Sequence, residues 1–284
     1  MRSILITGGT GSFGQAFVKR CLSERIQRIC ILSRDETKQA QMRQELKDDE
    51  RLRWFVGDVR DRDRLRRAFE GVDTVIHAAA LKRVEAGEFD APEMVKTNVV
   101  GTLNLIEAAT DAQVQRVVAL STDKACQPVS AYGASKLLME KIILGANNAR
   151  GEYGPRFAVT RFGNFAGSRG SVIPMWRGLL REGFKTLPVT NGACTRYWMT
   201  ADEAVDLVMN TARTMKGGEL VTPDLPAFTV SDLAQAMGGE VEIVGLRPGE
   251  RIHEMMNDGE TSADAPRLTI EELRNRLELV KTDR

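Results

Sequence analysis

Only two histidines and four cysteines occur in 284 residues, and that scarcity removes several chemistries. Cys21, Cys30, Cys126 and Cys194 are scattered without metal-ligand spacing, so no metal site is expected and a reduced, cytoplasmic protein is the default reading. Cys126 is read as a pocket lining, because a thiol nucleophile there has no histidine beside it in sequence. No apolar run approaches the ~20 residues that span a bilayer, and the chain enters a strand pattern at Ser3 in place of a signal peptide. A soluble, unexported protein with no membrane partner is therefore expected. Charge of one sign is also lacking: 40 basic against 39 acidic residues leave +1, which recruits no nucleic acid. Any anion site must be local.

What is present is a globular composition, 42% hydrophobic and 28% charged, long enough for one large domain and a smaller lobe. The apolar run Ser3–Thr7 leads straight into Gly8-Gly9-Thr10-Gly11-Ser12-Phe13-Gly14 and then a helical pattern to about Leu22. Glycines there let the backbone turn tightly beside a pyrophosphate, whose charge meets the positive helix N-terminus. The next run, Arg28–Leu32, ends at Ser33-Arg34, and Arg34 lies where an acidic residue would bind the adenosine ribose of NAD. A guanidinium suits the 2′-phosphate of NADP instead, with Lys38 a second cation. The competing reading is a solvated Arg34, with Asp35 serving the ribose.

Two more strand patterns end in small or polar residues: Leu52–Gly57 before Asp58 and Val59, placed for adenine, and Thr74–His77 before Ala78, Ala79 and Ala80, which let the chain pass close to a cofactor. A helix pattern from Pro92 to Ala109 carries Asn98, a polar residue read as bracing the backbone beside the cofactor. After Arg116–Leu120 comes Ser121-Thr122-Asp123-Lys124, then a helix to about Asn147 containing Tyr132 and Lys136, and a sixth strand at Phe157–Thr160. Near-continuous apolar strands alternating with helices predict an α/β, Rossmann-like doubly wound parallel sheet over residues 1–162.

Tyr132 and Lys136, four apart, share a helix face, and an ammonium beside a phenol favours the phenolate that accepts a hydroxyl proton. The bland alternative is an ordinary amphipathic pair. Asp123 and Lys124, just past a strand end, add an acid and a base at the address where parallel sheets bind ligands. Beyond residue 162 a smaller C-terminal lobe is expected over 163–284, with some segments returning to the first domain. It includes a strand near Glu219–Thr222 and capping boxes at Thr200–Glu203 and Thr269–Glu272. Arg169, Arg196 and Arg247 fall at its loops or strand ends, where three converging forks would suit a diphosphate.

Together, Thr7-Gly8-x-x-Gly11-x-x-Gly14, Tyr132-x-x-x-Lys136, Asn164 and Arg247-Pro-Gly-Glu250 resemble the extended short-chain dehydrogenase/reductases acting on nucleotide sugars. Ser33-Arg34-Asp35-Glu36, Gly57–Asp61, Ser121–Lys124 and Gly167-Ser168-Arg169-Gly170-Ser171-Val172 resemble the inverting UDP-N-acetylglucosamine 4,6-dehydratases within them, from Met1 to about Glu254. The resemblance implies bound NADP and a UDP-sugar, and makes the lobe over 163–284 mainly nucleotide-sugar-binding. Tyr132, with Lys136, would take the C4 hydroxyl proton as hydride passes to NADP, Lys124 would act as C5 base, Asp123 as acid for the C6 hydroxyl, and Thr122 would bond the sugar. It also implies Asn164, Arg169, Arg196 and Arg247 around the diphosphate, Ser171 and Val172 in the substrate loop, Glu250 on the uridine ribose, and a homo-oligomer. Leu81-Lys82-Arg83-Val84 replaces a Lys-His pairing in the sugar-facing loop, where Lys82 is the candidate contact. A 4-epimerase would need only Tyr132 and Lys136, and a non-catalytic NADP-binding protein would need none of the acid–base set.

Overall fold

Along Ser3–Thr7 every residue is buried, yet Ile4 and Ile6 pack into one cluster and Leu5 into another, because successive side chains leave opposite faces of a strand. That pattern needs helices on both faces, and the computed structural model, which describes residues 1–280, has them. The chain runs β1 (Ser3–Thr7), α1 (Ser12–Ser23), β2 (Arg28–Ser33), α2 (Glu36–Glu45), β3 (Leu52–Val56), α3 (Arg62–Phe69), β4 (Thr74–His77), α4 (Val84–Phe89) and α5 (Ala91–Met94). A π-helical turn (Val95–Val100) and α6 (Gly101–Asp111) continue that helix. Then come β5 (Arg116–Thr122), a 3-10 turn (Asp123–Ala125), α7 (Ala131–Gly145) and β6 (Arg156–Phe162).

The second half runs α8 (Val172–Arg181), β7 (Thr186–Val189), β8 (Thr195–Tyr197), α9 (Ala201–Thr214), β9 (Leu220–Val221), β10 (Ala227–Thr229), α10 (Val230–Ala236), β11 (Glu240–Ile243), β12 (Met255–Asn257), β13 (Glu260–Thr261) and α11 (Ile270–Leu279). The large sheet has seven parallel strands in the order β3-β2-β1-β4-β5-β6-β9. Its order reverses between β1 and β4, and the crevice at their carboxyl ends is where such sheets take ligands.

Six strands are legible as apolar runs in residues 1–162; the seventh, β9, is the strand expected near Glu219–Thr222, two residues long with Leu220 exposed. Helix α9 and β9 return to the large sheet, with Val205, Val208 and Met209 joining Phe13 and Phe17 of α1 in one core. Both expected capping boxes are formed, at Thr200 with Glu203 and at Thr269 with Glu272. The helix expected from Pro92 to Ala109 is interrupted by the π-helical turn, which contains Asn98. The remaining second-half elements build a separate core around Trp176, Trp198 and Leu233 beside the crevice. Among the described residues, no helix is long and apolar enough to cross a membrane.

Candidate active site

A cavity of about 410 Å³ opens along the carboxyl ends of β1, β2, β3, β4 and β5. Gly8, Thr10, Gly11, Ser12, Phe13 and Gly14 line its floor; Ser33, Arg34 and Lys38 line one end with Asp58 and Val59; Ala78, Ala79, Ala80 and Lys82 form a wall. Thr122, Tyr132, Lys136 and Asn164 line the other end. The loop is tight because a Cβ on Gly14 would lie 2.4 Å from the Gly9 carbonyl oxygen. Helix α1 starts at Gly11, which brings no side-chain cap to its first turn. Its first N–H groups are therefore open to an anion, with no competing side-chain oxygen from their own N-cap. The buried Ser168 hydroxyl, also in the lining, has no partner among the described residues. Glycine floor, uncapped helix end and idle hydroxyl fit a dinucleotide.

At the adenosine end, Asp35 is occupied. Its carboxylate caps α2 by accepting from the Lys38 N–H at 3.0 Å and pairs with Lys38 Nζ at 2.8 Å, which holds its pKa below the usual range. Arg34 is half exposed, with Nη1 3.7 Å from Asp58 Oδ2. Asn98 does not line the cavity. It braces the segment after Ala80, accepting from the Leu81 N–H and donating to the Leu81 carbonyl, each at 2.9 Å, and donating to Ser135 Oγ at 3.0 Å. Its expected place beside the cofactor is thus a support.

The reactive end differs from the simplest reading of Tyr132 and Lys136. Lys136 Nζ donates to the Leu120 carbonyl at 2.6 Å. Burial pulls this amine down to about 8, against the opposing pull of Glu140 one turn on. Tyr132 is 9% exposed; burial pushes its phenol up to about 12, partly offset by Lys124 and by a hydrogen bond with Thr122. At neutral pH the phenol keeps its proton, and the cation that opposes the rise is Lys124.

Lys124 sits in a clamp. Its Nζ lies 3.0 Å from Asp123 Oδ1 and 2.9 Å from Glu254 Oε1, while Thr122 Oγ1 donates to the same Asp123 oxygen at 2.9 Å. Burial would lower this lysine, but the two carboxylates raise it above the ordinary value, so it is an ammonium here. A base role therefore requires it to pass a proton on first. Glu254 was not foreseen: it lies in a loop without apolar period, and only its partner Lys124 reveals it.

The three arginines do not converge, because each guanidinium has found a different partner. Arg169 crosses to the glycine loop, its guanidinium on the Thr10 carbonyl and its N–H on Ser12 Oγ at 3.1 Å. Arg196 bonds Glu250 Oε1 at 2.9 Å and lies 3.6 Å from Glu254 Oε1. Arg247, half exposed, pairs with Glu85 at 3.0 Å. Glu250 also accepts from Thr190 Oγ1 at 3.0 Å, so neither it nor Arg196 is idle. Ser171 is the N-cap residue of α8, and neither it nor Val172 lines the cavity.

A second buried network sits behind this end. Arg161 forks onto Glu140, Nε to Oε1 at 2.9 Å and Nη2 to Oε2 at 2.6 Å, and Ser121 Oγ donates to Oε1 at 2.5 Å. Arg161 Nη1 also holds the Met256 carbonyl at 2.6 Å, so β6, α7 and β12 are tied together.

Residues 4–271 match the family described as "Polysaccharide biosynthesis protein". The chain is 44% identical over 273 residues to UDP-N-acetylglucosamine 4,6-dehydratase (inverting) of Campylobacter jejuni, covering 95% of this chain and 80% of that protein. It is 39% identical over 274 residues to UDP-glucose 4-epimerase of Rickettsia rickettsii, covering 93% of this chain and 80% of that one. Among solved structures, Pen from Bacillus thuringiensis superposes with a TM-score of 0.91 at 32% identity over 98% of both chains. DesIV, a dTDP-glucose 4,6-dehydratase from Streptomyces venezuelae with NAD and TYD bound, superposes at 0.82 with 26% identity, over 97% of this chain and 96% of that one. The chain belongs to the polysaccharide biosynthesis protein family of extended short-chain dehydrogenase/reductases.

Proposed function

We propose that the protein is an NADP-dependent nucleotide-sugar 4,6-dehydratase, a lyase that acts on UDP-N-acetylglucosamine and inverts C5. The observation that carries this reading is the clamp of Lys124 between Asp123 and Glu254 beside Tyr132, an acid–base set larger than a 4-epimerase needs. The 44% identity to an inverting dehydratase supports it.

When bound, the nicotinamide supplies a hydride acceptor for C4 and later a hydride for C6, and its positive charge favours the Tyr132 phenolate. Tyr132 then takes the O4 proton, with Thr122 holding its oxygen and the Lys136 ammonium nearby on the same helix face. A C4 ketone acidifies the C5 hydrogen. Moving one proton from Lys124 Nζ to Asp123 Oδ1, along their 3.0 Å bond, leaves a neutral amine and a carboxylic acid together. The amine removes the C5 proton as the acid protonates O6, so water leaves and both groups regain their starting charge. A proton then delivered to the opposite face of C5 inverts that centre.

NADP is preferred over NAD in this reading because Asp35 is committed to capping α2, while Arg34 lines the cavity with its fork half exposed. In the same lining Lys82 is assigned to the sugar and Asn164 to the diphosphate; Arg196, Arg247 and Glu250 contact the nucleotide once their present partners exchange. A cytoplasmic homo-oligomer is proposed with it. The 39% identity to an epimerase keeps UDP-sugar 4-epimerisation as the second reading. Incubation with UDP-N-acetylglucosamine separates the two: loss of one water with C5-inverted ring couplings is the expected result. An unchanged mass with a galacto-configured sugar would make the protein an epimerase.

A further inference from the structure

Glu254 is 2% exposed, immediately before β12, and its backbone is fixed on both sides. Its N–H donates to Ser262 Oγ at 2.9 Å and its carbonyl accepts from the Ser262 N–H at 2.7 Å. Ser262 is fully buried, and its hydroxyl meets Thr195 Oγ1 at 2.6 Å. The carboxylate is thus delivered to one place by the hairpin of β12 and β13. Oε1 takes the Lys124 ammonium at 2.9 Å and lies 3.6 Å from Arg196 Nε; Oε2 is buried and has no partner among the described residues. Leaving a buried carboxylate oxygen unbonded costs free energy, and a glutamine or an apolar residue would avoid the charge.

We propose that Glu254 is a positioning residue for the C5 chemistry, holding the Lys124 amine in place and keeping it basic while Asp123 exchanges its own proton. This rests on the dehydratase reading above. Asp123 cannot do both tasks: once it carries the proton destined for O6, its charge no longer anchors Lys124. The four-carbon stem of Lys124 then has one remaining carboxylate to hold it. The charged and titratable groups facing Lys124 are Asp123 on its own turn, Tyr132 on α7, Arg196 on β8 and Glu254. Of these, only the two carboxylates raise its proton affinity, so removing the charge of Glu254 makes the amine easier to deprotonate.

The test uses the full chain with its dinucleotide bound and compares wild type with Glu254→Gln, which keeps the size and one acceptor. The first readout needs no sugar: the rate at which an amine-selective acylating reagent labels Lys124 at fixed alkaline pH, read by peptide mass. Glu254→Gln is expected to label about tenfold faster, the effect of a one-unit fall in pKa on the neutral fraction. The second readout is the pH dependence of that labelling, which should shift about one unit toward acid in Glu254→Gln, separating a changed proton affinity from a merely changed exposure, while KM for the sugar stays within about threefold. Unchanged labelling, or faster labelling with an unmoved pH dependence, would overturn the proposal. If Glu254→Gln does not fold, Glu254→Asp carries the test: its carboxylate is withdrawn by one methylene and a rise of a few-fold in labelling is expected, whereas wild-type labelling would overturn it. Should the wild type not dehydrate the sugar at all, the dehydratase reading fails while the labelling still decides whether Glu254 controls Lys124.

Discussion

The two ends of the cleft are built in different ways. At the glycine end the floor is local: the residues from Gly8 to Gly14 lie between a strand and a helix that are adjacent in sequence, with Arg169 the long-range contact on Thr10 and Ser12. At the Lys124 end the contacts are long-range: Asp123 and Lys124 follow β5, Tyr132 comes from α7, Arg196 from β8 and Glu254 from the approach to β12. A backbone cradle depends on turn geometry, which short motifs specify. A cluster of buried charges depends on which distant side chains the fold brings together, and on how they shift one another.

That contrast predicts different responses to substitution, the largest at the reactive end. Tyr132→Phe removes the only phenol in the lining and should lower kcat by about 10³-fold or more while leaving dinucleotide affinity unchanged. Steady-state rates with a fluorescence titration of the dinucleotide check both halves. Arg161→Met leaves the Glu140 carboxylate buried without its fork and frees the Met256 carbonyl; a loss of about 3–5 kcal/mol in urea unfolding is expected.

A smaller, pH-dependent effect comes from His77 under the glycine loop, whose ring lies between Thr7 Oγ1 at 2.9 Å and Thr102 Oγ1 at 3.2 Å. Burial, then Lys136, lowers it from 6.5 to about 3. The folded value is the lower one, so the unfolded chain binds the extra proton. The contribution of neutral His77 is whole above pH 6.5 and is lost as pH falls toward 3, at about 1.4 kcal/mol per unit. His77→Gln should flatten the stability profile by that slope over the same window; an unaltered profile would contradict it. The smallest effect belongs to the exposed adenosine end, where Arg34→Ala should narrow the NADP-to-NAD affinity ratio by about tenfold. An unchanged ratio would return Arg34 to the surface.

Legibility in the sequence follows the same divide. Apolar runs revealed the first six strands, and S/T-x-x-E spacing revealed two capped helices, because period and caps are local signals. Strand β9 is expected near Glu219–Thr222 and is found there, but its pairing with β6 in the large sheet is a long-range contact that its own two residues do not announce. Tyr132, Lys136, Asp123 and Lys124 were legible as types at a spacing; their charge states were not. Burial raises the phenol and lowers Lys136, while a carboxylate 130 positions away helps hold Lys124 as an ammonium. Arg169, Arg196 and Arg247 looked equivalent at loops and strand ends, yet Thr10, Glu250 and Glu85 drew them to separate places.

The central claim is that C4 oxidation and C5 proton handling are divided between Tyr132 and Lys124. A single turnover of Lys124→Met with UDP-N-acetylglucosamine in heavy water, followed by nicotinamide absorbance and by NMR of the sugar, tests it most directly. The account predicts that the dinucleotide is reduced while C5 gains no deuterium and no water is lost. Deuterium at C5 at the wild-type rate would contradict it.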